Sequence, residues 1–294
     1  MNSLISLIGN TPSVNLSDLL PDGSKVKLFG KLEGQNPGGS VKDRAALGMI
    51  SGALERGEIS KESHLVEATS GNTGIALAMI AAQYGIKITL LMPENSTVER
   101  VKTMRAYGAE VLLTPAEKTI EYSRKLAEEM AASGEYHLLN QFGNDDNWRA
   151  HYQTTGPEIW RDTEGQLTHF VSSMGTTGTI TGTGRFLKSQ SAEVQIVGVQ
   201  PTDGSRIPGI RRWSPEMVPT IFDASVVDQT IDVSTQEAAK MARRMASELG
   251  LFAGMSSGGA AVAALKLAES LDSGLVVSIV CDRGDRYLSS ELYS

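Results

Sequence analysis

Residues 65–82 read Leu-Val-Glu-Ala-Thr-Ser-Gly-Asn-Thr-Gly-Ile-Ala-Leu-Ala-Met-Ile-Ala-Ala. The apolar start predicts a strand, the glycines predict a tight turn, and the run from Ile75 predicts a helix. A helix N-terminus has free backbone N–H groups and partial positive charge, which favour an anion. A single polar residue is enough to cap a helix. This helix start carries four: Thr69, Ser70, Asn72 and Thr73. We therefore expect the segment to bind a small carboxylate.

Strand and helix patterns alternate along the rest of the chain. The predicted strands are 26–32, 65–68, 86–92, 110–113, 136–139, 169–173, 194–199 and 275–280. The main predicted helices are 40–55, 98–107, 120–132, 155–162, 235–249 and 260–271. This alternation is typical of α/β folds in which helices cover both faces of a parallel sheet.

Composition excludes several classes of protein. The chain has 294 residues and a net charge of −7, with no long basic run, so we expect no nucleic-acid partner. No apolar run is long enough to span a bilayer, and the single cysteine cannot form an internal disulfide. The four histidines have no metal-ligand spacing, so we expect no metal. The expected location is the cytoplasm.

Lys42 follows the breaker-rich loop Glu33–Val41 and falls in the first turn of a predicted helix. The helix dipole disfavours a cation at that position. A lysine with a lowered pKa is what imine chemistry needs. A long side chain that bends into solvent explains the same pattern, and position alone favours that simpler interpretation.

A second glycine- and hydroxyl-rich loop follows the strand 169–173. Gly175-Thr176-Thr177-Gly178-Thr179 leads into a predicted helix, and backbone N–H groups with threonine hydroxyls are suited to a phosphate. The loop lacks the P-loop lysine and the dinucleotide-binding glycine pattern. A third turn of this kind, Gly254–Gly259, is predicted to precede the helix 260–271.

Together, a phosphate loop without cations, a carboxylate site and an unusual lysine match the requirements of pyridoxal phosphate. The stretch 36–44, Asn-Pro-Gly-Gly-Ser-Val-Lys-Asp-Arg, resembles the lysine motif of cysteine synthases, also called O-acetylserine sulfhydrylases. The segments 69–74 and 175–179 resemble their carboxylate and phosphate loops. Further motifs match in order: 9–12, 141–142, 154–160 and 256–258.

The resemblance implies the fold-type II arrangement, with two open, mostly parallel three-layer α/β domains and the cofactor in the cleft between them. The smaller, mobile domain is expected at 35–147, with residues 1–12 packed on it. The larger domain is expected to comprise 13–34 and 148–294. A homodimer is also implied.

The resemblance also implies roles for individual residues. Lys42 would hold the cofactor as an aldimine, and Ser256 would bind its ring nitrogen. The phosphate would be bound by Gly175, Thr176, Thr177, Gly178 and Thr179. The substrate carboxylate would be bound by Thr69, Ser70, Asn72, Thr73 and Gln141, and Asn72 would also contact the 3′-oxygen of the cofactor.

The implied reaction is a β-replacement that makes L-cysteine from O-acetyl-L-serine and sulfide through an α-aminoacrylate. Arg211, together with the stretch Cys281-Asp282-Arg283-Gly284-Asp285-Arg286, resembles the B isozyme, which accepts thiosulfate and forms S-sulfocysteine. Cys281 and Asp282 are expected to line the cleft, although a buried thiol at the end of a strand is nearly as good an interpretation of Cys281.

Other functions remain open at this point. Cystathionine β-synthase and serine/threonine deaminases share the fold, but the chain has no haem-binding extension and its lysine motif differs from that of the deaminases. A catalytically silent protein that binds a small molecule or a partner is an alternative of another class. The intact Lys42 argues against it.

Overall fold

The computed structural model of the chain describes residues 3–69 and 71–294. Its strands are β1 (Ser13–Asn15), β2 (Val26–Leu32), β3 (His64–Ala68), β4 (Lys87–Pro93), β5 (Glu110–Thr114), β6 (His137–Leu138), β7 (His169–Ser173), β8 (Gln195–Pro201), β9 (Gln229–Val233) and β10 (Gly274–Val280). Its helices are α1 (Lys42–Glu55), α2 (Asn72–Tyr84), α3 (Val98–Ala106), α4 (Thr119–Ala132), α5 (Asp145–Ala150), α6 (Gly156–Asp162), α7 (Gly178–Gln190), α8 (Thr235–Leu249) and α9 (Met255–Ala268). A π-helical segment, His151–Thr155, joins α5 to α6.

The strands form two separate sheets. The smaller sheet has the order β5-β4-β3-β6, and all of its pairings are parallel. The larger sheet has the order β1-β2-β10-β7-β8-β9 and is parallel except for the short edge strand β1. The predicted fold class, an α/β fold with mostly parallel open sheets, is confirmed. The domain limits at 34/35 and 147/148 stay a prediction.

Each sheet has its own apolar core. Around the smaller sheet, buried side chains of α1 and α2, such as Met49 and Ile80, pack with Leu65 and Leu90 of the strands. Around the larger sheet, buried residues of α8 and α9 pack with β8 and β10. Open parallel sheets bind ligands at the carboxyl ends of their strands, where the loops before α2 and α7 lie. Within residues 3–69 and 71–294, no helix is long and apolar enough to cross a membrane.

The third glycine turn is not a turn, and this prediction was wrong. Helix α9 begins at Met255 and ends at Ala268, so Gly258 and Gly259 lie inside it. A Cβ at Gly258 would collide with the Ala238 carbonyl oxygen of α8, and a Cβ at Gly259 would lie 2.8 Å from Ile210 Cδ1. The glycines therefore permit close helix packing, and this requirement outweighs their low helix propensity.

Candidate active site

Lys42 is the first residue of α1, at a junction of chain segments. The backbone N–H of Val41 donates to the Cys281 carbonyl oxygen at 2.8 Å, which ties the start of α1 to the end of β10. Among the described residues, no acceptor lies within hydrogen-bonding distance of Lys42 Nζ. Burial lowers the pKa of Lys42, and the nearby acidic groups of Cys281, Asp282 and Glu33 oppose that shift only in part. The amine is therefore closer to its neutral, nucleophilic form than an ordinary lysine.

At the start of α2 the structure describes Thr69, Asn72 and Thr73, whereas Ser70 lies outside the described residues, and the binding of a carboxylate there stays a prediction. The N-cap is Gly71, and no side chain of the described part of the chain caps the helix. Thr73 Oγ1 instead donates to Gln141 Oε1 at 2.8 Å. Gln141 is only 5% exposed, and its Nε2 remains available to donate to an anion. Thr69 Oγ1 accepts from the Gly71 backbone N–H at 3.4 Å.

The loop before α7 has the form expected of a phosphate site. Its last residue, Thr177, adopts a left-handed conformation with φ of 70°, and no described side chain caps α7. The Gly175 backbone is so close to the segment beside it that a Cβ would lie 2.6 Å from the Gly209 carbonyl oxygen. The free N–H groups at the start of α7 and the partial positive charge there favour an anion.

The segment 207–213 covers this loop. The Arg211 backbone N–H donates to the Met174 carbonyl oxygen at 2.8 Å, and Trp213 Nε1 donates to the Gly175 carbonyl oxygen at 2.9 Å. A Cβ at Gly209 would lie 3.4 Å from Ser256 Oγ, which places Ser256, in the first turn of α9, beside the same loop. The guanidinium of Arg211 lies over the Trp213 ring at 5.4 Å and is close to Glu121 and Arg124 of α4.

Cys281 and Asp282 follow β10 and are both buried. Burial, together with the charge of Asp282, raises the pKa of the Cys281 thiol to about 11, so the thiol is neutral at physiological pH. Asp282 Oδ2 accepts from Asn72 Nδ2 and from the Tyr287 hydroxyl, each at 2.7 Å. Asp282 thus contacts the start of α2. The expectation that Cys281 and Asp282 line the cleft stays a prediction.

Two buried residues near the loop before α7 were not anticipated from the sequence. Asn147 Nδ2 donates to the Gln141 carbonyl oxygen at 2.7 Å and to Thr176 Oγ1 at 3.3 Å, which links the two polar loops. The Nε2 atom of His151 lies 3.2 Å from Thr179 Oγ1. Burial and the charge of Arg44 lower the pKa of His151 to about 3, so the imidazole is neutral. Neither residue belongs to a spacing pattern that sequence reasoning could detect.

A buried ion network surrounds Arg44 in the first turn of α1. Arg44 Nε donates to Glu33 Oε2 and Nη1 donates to Glu158 Oε1, both at 2.7 Å. Lys31 Nζ pairs with Glu158 Oε2 at 2.9 Å and with Asp162 at 3.0 Å. Because Arg44 lies two residues after Lys42, this network ties the first turn of α1 to β2 and α6.

These contacts bring the predicted residues together, with Ser70 outside the described part of the chain. Lys42, Asn72 and Asp282 form one group at the end of β10, and Gln141 and Asn147 connect it to the loop before α7. Ser256 and Arg211 lie beside that loop as well. The contacts therefore connect the amine of Lys42 with the loops before α2 and α7; the binding of a carboxylate and of a phosphate by these loops stays a prediction.

Comparisons with known proteins identify the family. The model of the family described as "Pyridoxal-phosphate dependent enzyme" matches residues 4–282. Cysteine synthase B of Escherichia coli (strain K12) is 57% identical over 294 residues, which cover 100% of this chain and 96% of that protein. Cysteine synthase B of Salmonella typhimurium is 56% identical over 293 residues, with the same coverage.

A solved structure agrees with these matches. The crystal structure of cysteine synthase from Entamoeba histolytica superposes with a TM-score of 0.93 and 36% sequence identity, and the match covers 100% of this chain and 90% of that one. The chain therefore belongs to the family of pyridoxal-phosphate dependent enzymes and, within it, to the group of the cysteine synthase B proteins.

Proposed function

We propose that the protein makes L-cysteine from O-acetyl-L-serine and sulfide by β-replacement, with pyridoxal phosphate as cofactor. The observation that supports this most strongly is the desolvated amine of Lys42, which lies near Asp282, the hydrogen-bond partner of Asn72 at the uncapped start of α2. The names of the relatives, cysteine synthase B, point to the same reaction.

The residues present fit the cofactor. The segment 175–179 offers uncapped backbone N–H groups, and the cradle at Gly175 admits no side chain. Lys42 Nζ has no acceptor among the described residues and is available for an imine. A serine, Ser256, fits the pyridine nitrogen, because its hydroxyl donates to a neutral ring without forcing protonation. When bound, pyridoxal phosphate supplies the electron sink that makes the substrate α-proton removable.

Lys42 would also move protons. With its pKa lowered by burial, the free amine can accept the proton from the substrate Cα and return it after the sulfur has added to the β-carbon. The neutral Cys281 thiol, with a pKa of about 11, is a poor competitor for either step. The family resemblance gives the same role to Lys42.

The substrate carboxylate would be bound by the start of α2. Thr69, Asn72 and Thr73 lie there with the uncapped N–H groups of the helix, and Gln141 adds its Nε2. Ser70 is part of the proposal on sequence grounds. The helix dipole of α2 and the side-chain amides would bind the anion without a cation. A cation in the site would need another negative partner each time the substrate leaves.

Arg211 supports thiosulfate as a second sulfur donor. Among the described residues it forms no salt bridge, and its guanidinium is held over the Trp213 ring, where it can meet a dianion that enters the cleft. We expect Arg211→Met to lower kcat/KM for thiosulfate roughly 10-fold or more and to change the value for sulfide little. An equal loss with both donors would remove Arg211 from the specificity argument.

A groove on the larger sheet is a candidate homodimer surface. It has a volume of about 660 Å³ and is lined by Phe29 and Leu275 of β2 and β10 together with polar and charged residues such as Lys27, Arg161 and Asp162. A second copy of the chain would cover this partly apolar, partly charged surface. Light scattering should give twice the chain mass for the wild type and the mass of one chain for Phe29→Glu. A wild-type monomer would contradict the proposal.

The reaction itself is tested with purified protein loaded with pyridoxal phosphate. O-Acetylserine should change the visible absorption spectrum of the protein, sulfide should restore it, and cysteine should accumulate. Lys42→Ala should show no turnover, and Lys87→Ala, an exposed lysine on β4, serves as the control. Spectral changes without cysteine would favour a deaminase or a silent binding protein.

A further inference from the structure

The segment that follows β10 contacts both sides of the site. Ser40, two residues before Lys42, forms an antiparallel bridge with Asp282. Further along, the guanidinium of Arg286 donates to the Gly38 carbonyl oxygen and to Asn72 Oδ1. Arg286 is only 6% exposed. One buried side chain therefore joins the loop before α1 to the first residue of α2.

The side chain of Asn72 is held at both ends. Arg286 can only donate, and it contacts Oδ1; the Asp282 carboxylate can only accept, and it takes a hydrogen bond from Nδ2 at 2.7 Å. These opposite partners allow only one orientation of the amide. A flip by 180° would place two donors together at one end and two acceptors together at the other. Among the described residues, the second N–H of Nδ2 has no acceptor, so it can donate to a ligand.

Asp282 faces its partners and not the solvent. The residue is 1% exposed, and its Oδ2 accepts from Asn72 and from the buried Tyr287 hydroxyl at 2.7 Å. Its Oδ1 is buried against Gly254, where an added Cβ would collide with it, and accepts no hydrogen bond from the described residues. The opposite charge of Arg286, on the other end of the same amide, balances the buried carboxylate.

We propose that Asp282, Arg286 and Tyr287 are positioning residues that orient Asn72, so that its free N–H points at the substrate carboxylate. This set of three is called the clamp below. The inference rests on the proposed function, because it deepens the role of the carboxylate-binding loop. The clamp acts on substrate affinity, so its loss should change the KM for O-acetylserine more than kcat.

The clamp predicts a split between kinetic constants. Without it the Asn72 amide rotates freely, and a hydrogen bond to a charged group is lost or weakened, which corresponds to roughly 10- to 100-fold in affinity. Arg286→Met should raise the KM for O-acetylserine by roughly that factor and change kcat less than about 3-fold. Arg283→Met is the matched control, because Arg283 lies in the same segment but pairs with Asp285 at the surface.

A double-mutant cycle separates orientation from general damage. In an Asn72→Ala background there is no amide to orient, so Arg286→Met should cause no further rise in KM. Independent, multiplicative effects of the two substitutions would overturn the proposal. So would an Arg286→Met protein that behaves like the Arg283→Met control.

Hydrogen exchange gives a readout that needs no turnover. In the protein loaded with pyridoxal phosphate, Arg286→Met should increase the exchange of backbone amides in 71–76 and leave those of 125–132 in α4 unchanged; Arg283→Met should change neither. If Arg286→Met does not fold, Tyr287→Phe removes only the hydroxyl that fixes Asp282, and it should give the same pattern with a smaller rise in KM. A wild type without cysteine synthesis would refute the proposed function, whereas unchanged exchange at 71–76 would refute the clamp alone.

Discussion

Removal of Arg44 from its buried network tests how the first turn of α1 is stabilised. The Arg44 guanidinium donates to both oxygens of Glu33, at 2.7 and 2.8 Å, and to both oxygens of Glu158, at 2.7 and 2.8 Å. Met keeps most of the side-chain length and removes every donor. In Arg44→Met, Glu33 keeps only Thr11 and Asn36 as side-chain donors, and Glu158 keeps Lys31.

The size of the effect follows from burial. Loss of one partner of a buried ion pair costs about 3–5 kcal/mol. The entropy of unfolding near Tm is about 2.1 cal/mol/K per residue, which for a chain of 294 residues amounts to roughly 0.6 kcal/mol/K. The Tm of Arg44→Met should therefore fall by roughly 5–8 °C. Arg56→Met is the control: Arg56 also pairs with two carboxylates, but its side chain is 43% exposed, so a much smaller loss of stability is expected.

The pH dependence gives a second test. Burial alone would raise the pKa of Glu158, but the hydrogen bonds and charge of Arg44 lower it to about 2, and Arg44 lowers the pKa of Glu33 as well. A carboxyl whose pKa is lower in the folded state stabilises the fold above its unfolded pKa of about 4.5 and loses this contribution as the pH falls. The difference between wild type and Arg44→Met should therefore be full at pH 7 and shrink below about pH 4.5.

Urea denaturation at pH 7.5 and pH 4, followed by fluorescence and far-UV circular dichroism, measures both effects. Equal stability losses in Arg44→Met and Arg56→Met would refute the reasoning, because burial would then not matter. A stability difference that grows as the pH falls would refute the assigned charge states.

Three further predictions concern other buried groups. Burial raises the pKa of Glu67 to about 8. Glu67→Gln should therefore stabilise the protein against urea at pH 9 by several kcal/mol, and this gain should vanish toward pH 4. Glu128→Gln, on the exposed face of α4, is the control and should change the stability little at either pH. Gly175→Ala places a Cβ 2.6 Å from a backbone oxygen, so it should lower Tm by roughly 2–5 °C and weaken the retention of pyridoxal phosphate on dialysis. In the control Gly184→Ala, the nearest neighbours of the new Cβ are side chains at 3.3 Å, so Tm should fall less. Cys281, with its thiol pKa of about 11, should react with Ellman's reagent at pH 8 at least 10-fold more slowly in the folded protein than in urea.

The strand and helix pattern was readable from the sequence wherever a segment has a buried face. Strand β4 is a continuous apolar run, and α8 has one apolar face and a capping box, so both were predicted within one or two residues. Strand β9 was missed, because this edge strand is mostly exposed and has no apolar run. The start of α9 was misplaced because glycine signals both a turn and close helix packing, and only the tertiary structure distinguishes them.

The local parts of the site were predictable for a different reason. The loops at Gly71 and Gly175 carry their chemistry in consecutive residues, so each reads as a unit. Asn147 and Arg286 could not be found in this way, because their partners are distant in sequence: Arg286 contacts Asn72 across 214 positions. An isolated asparagine or arginine has no local pattern that separates it from a surface residue.

The proposed reaction requires that Lys42 carries pyridoxal phosphate. Borohydride reduction of the loaded protein followed by peptide mass spectrometry locates the attachment directly. We predict a pyridoxyl-phosphate adduct on the peptide that contains Lys42, and no such adduct anywhere in Lys42→Ala. An adduct on another lysine of the wild type, or a protein that binds no pyridoxal phosphate, would contradict the account.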